Sequence, residues 1–374
     1  MKLGGLVQSR QVIVTCGAGG VGKTTSSAAM ALAAARCGRR ALVLTIDPAR
    51  RLAQALGIPP TGSTPVHIDA SILGKVGITL PPGGELHAWM LDPRVVLESV
   101  VDRFAPNPEM ATKIRKTKLY GALSEVMAGL QEYTAAEALY EFVETGRYDL
   151  IVLDTPPSRN ALDFLDAPRR LTRFLDERTL SMFAPAEQQA SAIVRAASKV
   201  VMGALSKAFG ETFTHDLQEF LGAFGTLFGK MRIHAEGVRN LLRSDKSVFI
   251  VLASPELGAV EEAMFFQRRI AELGLVSRGF VLNRSYATDR DLAKPADLVA
   301  GAPSKDVARA LAKLGPLATI EAARAEEHRL VLARLETASK SGGGDGAMAL
   351  PYLDQAIDDL PALEALSTTI LANV

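Results

Sequence analysis

The sequence predicts a doubly wound α/β fold: a mostly parallel sheet covered by helices, carrying an inserted α-helical subdomain. Three observations lead there. Short, nearly continuous apolar runs recur along the chain, as strands buried on both faces of a parallel sheet should. Several are followed by helical stretches, the alternation of a doubly wound fold. Two long stretches break that alternation with helical patterns and no convincing strand.

The first apolar run covers 11–16 and leads into a glycine-rich turn. A helix over Lys23–Arg36 follows, rich in Ala, Ser and Met, small enough to pack closely on a sheet, with Gly38 as its stop. Further strands are expected at 41–46, 86–91, 150–153, 248–252 and 279–282. The helical stretches cover 93–146 and 167–244 and flank the strand at 150–153, so they are expected to join into one subdomain on one side of the sheet. Within the second, Leu217, Phe220, Leu221, Phe224, Phe228 and Met231 recur at helical spacing. That stripe reads either as the subdomain's own core or as a groove or dimer face for an apolar client. Near the C-terminus, 341–346 (Ser-Gly-Gly-Gly-Asp-Gly) reads as a flexible connector, followed by a short strand at 347–350 and a final helix. The 374 residues are read as a single α/β domain (1–374) with this insertion.

Composition narrows the function. A net charge of +1 gives no electrostatic reason to expect nucleic acid or an acidic membrane surface as partner. The two cysteines, Cys16 and Cys37, form no C-x-x-C pair and read as reduced thiols of a cytoplasmic protein. The five histidines show no ligand spacing. The N-terminus reaches the first strand without a signal-peptide apolar region. No uncharged run approaches the ~18 residues that span a bilayer.

The strongest chemical signal is Gly17-Ala18-Gly19-Gly20-Val21-Gly22-Lys23-Thr24, a G-x-x-x-x-G-K-T pattern between an apolar strand and a helix. Glycine lets successive backbone N–H groups approach phosphate oxygens, and the helix N-terminus adds a positive dipole. Gly17, Gly19, Gly20, Val21, Gly22, Lys23, Thr24 and Thr25 are therefore the expected nucleotide-binding residues. Lys23 is expected at the β- and γ-phosphates and the Thr24 hydroxyl on Mg²⁺. Asp154 closes an apolar strand and suits a water-mediated Mg²⁺ contact; capping the turn at Thr155-Pro156-Pro157 is the alternative. Asp47, at the carboxyl end of another strand, could orient or deprotonate an attacking water, although Asp-Pro is also a common turn.

Read together, these segments resemble the ArsA family of ATPases, which includes arsenite-pump ATPases and the ATPases that deliver tail-anchored membrane proteins. The phosphate loop, Leu44-Thr45-Ile46-Asp47-Pro48-Ala49, and 154–162 resemble that family's phosphate loop, switch I and switch II. The resemblance implies ATP and Mg²⁺ as cofactors and assigns Asp47 to water activation. It also implies that Glu256, in Ser254-Pro255-Glu256, and Asn283, in Val281-Leu282-Asn283, contact the nucleotide, the Asn reading adenine. No N-K-x-D guanine motif follows, the chain having Asn283-Arg284-Ser285-Tyr286, so ATP is favoured over GTP. Gly129-Leu130-Gln131-Glu132 resembles a further family loop, with no chemical role assigned.

The family implies a dimer that sandwiches ATP and a helical subdomain that opens and closes. Three departures follow. The family's signature lysine, which reaches the partner's phosphates, is replaced by Ala18, so the dimer is either a homodimer or a heterodimer with a related ATPase that keeps the lysine. Arg50, Arg51 and Arg159 are candidate substitutes. The C-x-x-C zinc clasp of tail-anchored-protein targeting factors is absent, as is the arsenite-binding cysteine cluster. The expected function is ATP-driven dimer closure coupled to an apolar or membrane-protein client, any membrane contact being indirect. An arsenite-efflux subunit and a positioning or scaffold ATPase are the alternatives.

Overall fold

The computed structural model describes residues 1–46, 51–59, 64–105, 107–116, 130–155, 233–288, 304–353 and 360–373, with isolated positions between 200 and 214. Its centre is a sheet whose strands are β1 (Val12–Gly17), β2 (Arg40–Thr45), β3 (Val66–His67), β4 (Glu85–Met90), β5 (Leu150–Asp154), β6 (Ser247–Ala253), β7 (Ser277–Ser285) and β8 (Ala347–Pro351), in the order β3-β4-β2-β5-β1-β6-β7-β8. All neighbours are parallel except β3, which pairs antiparallel with β4 at one edge. β1 and β5 are buried along their whole length, which is why both read as unbroken apolar runs.

One face is covered by α1 (Leu3–Ser9), α2 (Lys23–Arg36), α3 (Arg51–Leu56), α4 (Ala70–Leu73) and α11 (Leu360–Leu371). α2 is sandwiched between the sheet and α11, so its residues from Ser26 to Ala35 are buried all round. Its small side chains suit that position: a wide apolar ring of large residues would hold the sheet and α11 apart. Arg36 ties the two helices, donating to the Ser367 hydroxyl at 2.7 Å and the Thr368 hydroxyl at 2.8 Å.

The opposite face carries α5 (Pro93–Phe104), α6 (Pro108–Lys116), α7 (Leu130–Glu144), α8 (233–243) and α9 (Leu257–Glu272), with the C-terminal part of α10 (Lys305–Ser341). Helices from the two expected helical stretches meet here. Buried Glu137 on α7 bonds Arg103 on α5 at 3.2 Å and His234 on α8 at 2.8 Å. The apolar stripe of 217–231, the loop residue Gly129 and most of 156–232 lie outside the described residues.

Three features differ from the sequence expectation. α1 precedes β1, its Leu3 and Val7 filling the core, where no helix is expected. β7 extends past 282 to Ser285, so Asn283 lies within the strand. And 341–346 is a hydrogen-bonded turn, where a flexible connector is expected. Gly344 N–H donates to the Ser339 carbonyl at 2.9 Å, Asp345 N–H to the Arg278 carbonyl at 2.7 Å, and Gly346 N–H to the Ser339 hydroxyl at 3.0 Å. Glycine is needed because the backbones touch: a Cβ on Gly279 would stand 2.0 Å from the Gly346 carbonyl oxygen.

Candidate active site

β1 runs up the middle of the sheet to its carboxyl edge, flanked by β5 and β6, and the chain then turns sharply into α2. Gly17 has φ 150°, and a Cβ there would stand 2.3 Å from the Leu252 carbonyl oxygen on β6. Gly22 has φ 86°, forms the N-cap of α2, and would bring a Cβ to 2.2 Å from the Asn283 amide nitrogen on β7. Only glycine fits both places. Gly19 and Gly20 are exposed at the mouth of the turn, Val21 is buried beneath it, and Thr24 and Thr25 are half-buried in the first turn of α2.

Lys23 is 6% exposed and its ammonium lies inside the curl, donating to the Gly17 carbonyl at 2.9 Å and the Ala18 carbonyl at 2.8 Å. A buried cation beside the N-terminus of a helix makes a strongly electropositive cradle. Its chemistry matches polyphosphate: backbone donors and one fixed positive charge.

Asp154 is buried at the tip of β5, whose register places it opposite Thr15 on β1 and Thr45 on β2. One carboxylate oxygen accepts from the Thr24 hydroxyl at 2.7 Å and the Thr45 hydroxyl at 2.9 Å. A carboxylate and hydroxyls together are the hard oxygen donors that suit Mg²⁺. The floor is cross-braced: the Thr15 hydroxyl meets Ser27 at 2.9 Å and the Leu153 carbonyl at 3.1 Å, and the Thr155 hydroxyl donates to the Thr15 carbonyl at 2.7 Å. Buried Cys16 sits below, its thiol pushed up to about 12 by desolvation, which keeps it protonated despite Lys23 nearby.

Asp47, Pro48, Ala49, Arg50 and Arg159 lie outside the described residues. β2 nevertheless ends at Thr45, on Asp154, so the chain enters that segment from the edge of the site.

Beside the cradle, Pro255, Glu256, Arg284, Tyr286, Arg324 and His328 help line a cavity of about 390 Å³. Tyr286 is stacked between His328, at 5.6 Å and 23°, and Tyr352, at 5.1 Å and 26°. The Tyr286 N–H donates to His328 Nδ1 at 3.0 Å, which requires the neutral ring, and burial lowers the His328 pKa accordingly. Glu256 caps the start of α9. A hydrogen bond from Ser254, aided by the charge of Arg284, holds its carboxyl below the usual range.

Of the expected residues, the structure brings the phosphate-loop set, Asp154, Glu256 and Asn283 to one edge of the sheet. Asn283 is 3% exposed, and its amide donates to the Val21 carbonyl at 2.9 Å. Sequence reasoning missed Thr45 as a partner of Asp154, and missed the stacked rings. Thr45 was legible, one residue before the end of the expected strand at 41–46 and two before Asp47. His328 and Tyr352 carry no local signal, because one lies in a long helix and the other follows β8.

The profile of a family described as "Anion-transporting ATPase" matches residues 10–292. An uncharacterized Streptomyces coelicolor protein, SCO2128, is 33% identical over 50% of this chain and 43% of its own. The ATPase get3 of Schizosaccharomyces japonicus is 26% identical over 48% of this chain and 51% of its own. An Aquifex aeolicus protein named provisionally as an arsenical pump-driving ATPase is 25% identical over 72% and 78%. The chain thus spans about half the length of the first two relatives and more of the third. With the family's profile running from β1 through β7, over the phosphate loop, Asp154 and Asn283, the chain belongs to the ArsA ATPase family.

Proposed function

We propose that the chain is a Mg²⁺-dependent ATPase whose nucleotide-driven closure as a dimer is coupled to an apolar or membrane-protein client in the cytoplasm. One observation carries the catalytic part. Thr24, Thr45 and Asp154 converge at 2.7 Å and 2.9 Å on the rim of a loop whose only cation, Lys23, is held inside it. The loop N–H groups and Lys23 would hold the β- and γ-phosphates, while Thr24 and Asp154 would hold Mg²⁺, the latter through water. Mg²⁺ supplies charge neutralisation at the phosphoryl oxygens. Asp47, two residues after Thr45 in the sequence, would orient or deprotonate the water that attacks the γ-phosphorus, giving ADP and phosphate. The ring-lined cavity at Glu256 and Tyr286 supports an adenine nucleotide.

The family resemblance supports a dimer; Ala18, 6% exposed where the family carries its lysine, leaves the partner either a second copy or a related chain. Free Cys16 and Cys37 support a reducing compartment. An arsenite-stimulated pump is disfavoured, since soft thiolates bind As(III) and Cys16 is a buried, protonated thiol remote from the exposed Cys37. Among the described residues no helix is long and apolar enough to cross a membrane.

The test is a pair of variants. Asp47→Asn should keep MgATP affinity and lower turnover at least tenfold. Unchanged turnover would remove Asp47 from the mechanism. Client coupling is checked by Phe220→Asp/Phe224→Asp, which should abolish co-purification of hydrophobic helices while the protein stays folded. Retained co-purification would contradict that part.

A further inference from the structure

The long helix α10 changes character along its length. Its buried residues, Ala325, His328, Leu335 and Ser339, all lie in the second half, where it packs on β7, β8 and α9. The first half carries large apolar side chains in the open: Leu314 is 47% exposed, Leu317 57% and Ile320 53%. Because α10 joins two neighbouring parallel strands, it runs antiparallel to them, and it reaches the carboxyl edge of the sheet at His328, which accepts the Tyr286 N–H. Residues 305–324 therefore stand beyond the edge that carries the phosphate loop, as about 28 Å of helix.

The exposed positions are periodic. Asp306, Ala310, Lys313, Leu317, Ile320 and Arg324 follow one another at intervals of 4, 3, 4, 3 and 4 residues, and each of them is exposed. That is the 3.5-residue repeat with which one helix faces another. Leu311, Gly315 and Ala318, on the neighbouring side, are partly covered, so the seam is not the side turned toward the protein. Pro316 falls one position off the seam, and α10 is continuous through it.

The seam also complements itself about Gly315. Asp306 and Arg324 lie nine residues to either side of it, Ala310 and Ile320 five, and Lys313 and Leu317 two. A two-fold antiparallel pair centred there sets acid against base, small against large, and the Lys313 stem against Leu317. Arg324 has room for a second carboxylate besides Glu321, to which it donates at 3.0 Å, because a guanidinium carries five donors. Parallel pairing would instead oppose Asp306, Lys313 and Arg324 each to its own copy, three like-charge contacts. A lipid surface offers Asp306 no partner.

We propose that two copies of this chain pair through the first half of α10 as a short antiparallel coiled coil, in the absence of nucleotide. This goes beyond the nucleotide-driven closure above: the seam assembles the pair, and nucleotide acts on a pair already assembled. With only about three heptads, the dimer is expected to dissociate in the micromolar range.

Sedimentation velocity of the nucleotide-free full chain, over a micromolar concentration series, should show a monomer–dimer equilibrium. Leu317→Glu/Ile320→Glu, at two exposed positions, should weaken the dimer by about tenfold or more with an unchanged far-UV circular dichroism spectrum. Cysteine pairing reads the register, in a Cys37→Ser background that removes the exposed native thiol. Mixed Ala310→Cys and Ile320→Cys proteins should oxidise mainly to a linked dimer holding one of each. Predominant pairing of each variant with itself would contradict the antiparallel seam. A wild-type monomer at every concentration would overturn the proposal, as would a dimer untouched by Leu317→Glu/Ile320→Glu. Monomeric protein that floats with phosphatidylglycerol vesicles would assign the stripe to lipid and overturn it equally. A dimer that forms only with Mg²⁺ and a non-hydrolysable ATP analogue would overturn it while leaving closure intact. A nucleotide-free dimer whose sedimentation ignores that analogue would support the seam and contradict closure instead.

Discussion

At Gly17 the strand β1 passes within touching distance of β6. A methyl group there would meet the Leu252 carbonyl at 2.3 Å, on a backbone with φ 150°. Gly17→Ala is expected to cost roughly 2–4 kcal/mol of stability, read as a lower denaturation midpoint; an unchanged midpoint would show that the loop entry is more pliable than its packing implies. His87 provides a pH handle at the other end of the sheet. Desolvation, with some help from His67, lowers its pKa to about 4. The unfolded chain therefore binds a proton near 6.5 that the folded protein refuses until about 4. Stability is full above pH 6.5 and falls as pH drops from there to about 4. His87→Asn should flatten the thermal-melting profile across that window, and an identical slope in both proteins would exclude His87 as its source.

At the scale of elements, α11 decides whether α2 is a core helix or a surface one. Leu363 is fully buried between them, and Leu363→Ala should cost about 2–4 kcal/mol by chemical denaturation. A loss below ~1 kcal/mol would mean that α11 is only loosely docked. This scale also shows what was legible in the sequence. Strands buried on both faces are written as continuous apolar runs, so 150–153 and 248–252 could be read directly, differing from β5 by one residue at one end and from β6 by one residue at each end. The phosphate loop was legible because its chemistry is local: eight consecutive residues supply the turn, the donors and the cation. β3 was not, being two residues long and defined only by its pairing with β4. Nor was the bulge at Asn283 and Arg284, where the strand's apolar pattern stops but its hydrogen bonding to β8 continues. α10 runs 37 residues through Pro316, a residue that sequence reasoning treats as a helix breaker. The ring stack draws on β7, α10 and the chain after β8, so only the folded topology assembles it.

For the whole molecule, the sheet order explains why one edge collects the chemistry. β1 stands between β5, which brings Asp154, and β6, which leads to Glu256, while β7 brings Asn283. Ligands in open α/β sheets bind at the carboxyl ends of such central strands. Closure around nucleotide should be visible as a rise in sedimentation coefficient with a non-hydrolysable ATP analogue and Mg²⁺. A monomer in every nucleotide state, both alone and with candidate related ATPases, would contradict the dimer proposal. The most direct test of the central claim is equilibrium binding of MgATP to wild-type protein and Lys23→Ala. Micromolar binding by wild type that weakens at least tenfold without Lys23 is the predicted result. Equal affinity in the two proteins would show that the loop from Gly17 to Thr24 does not hold the phosphates.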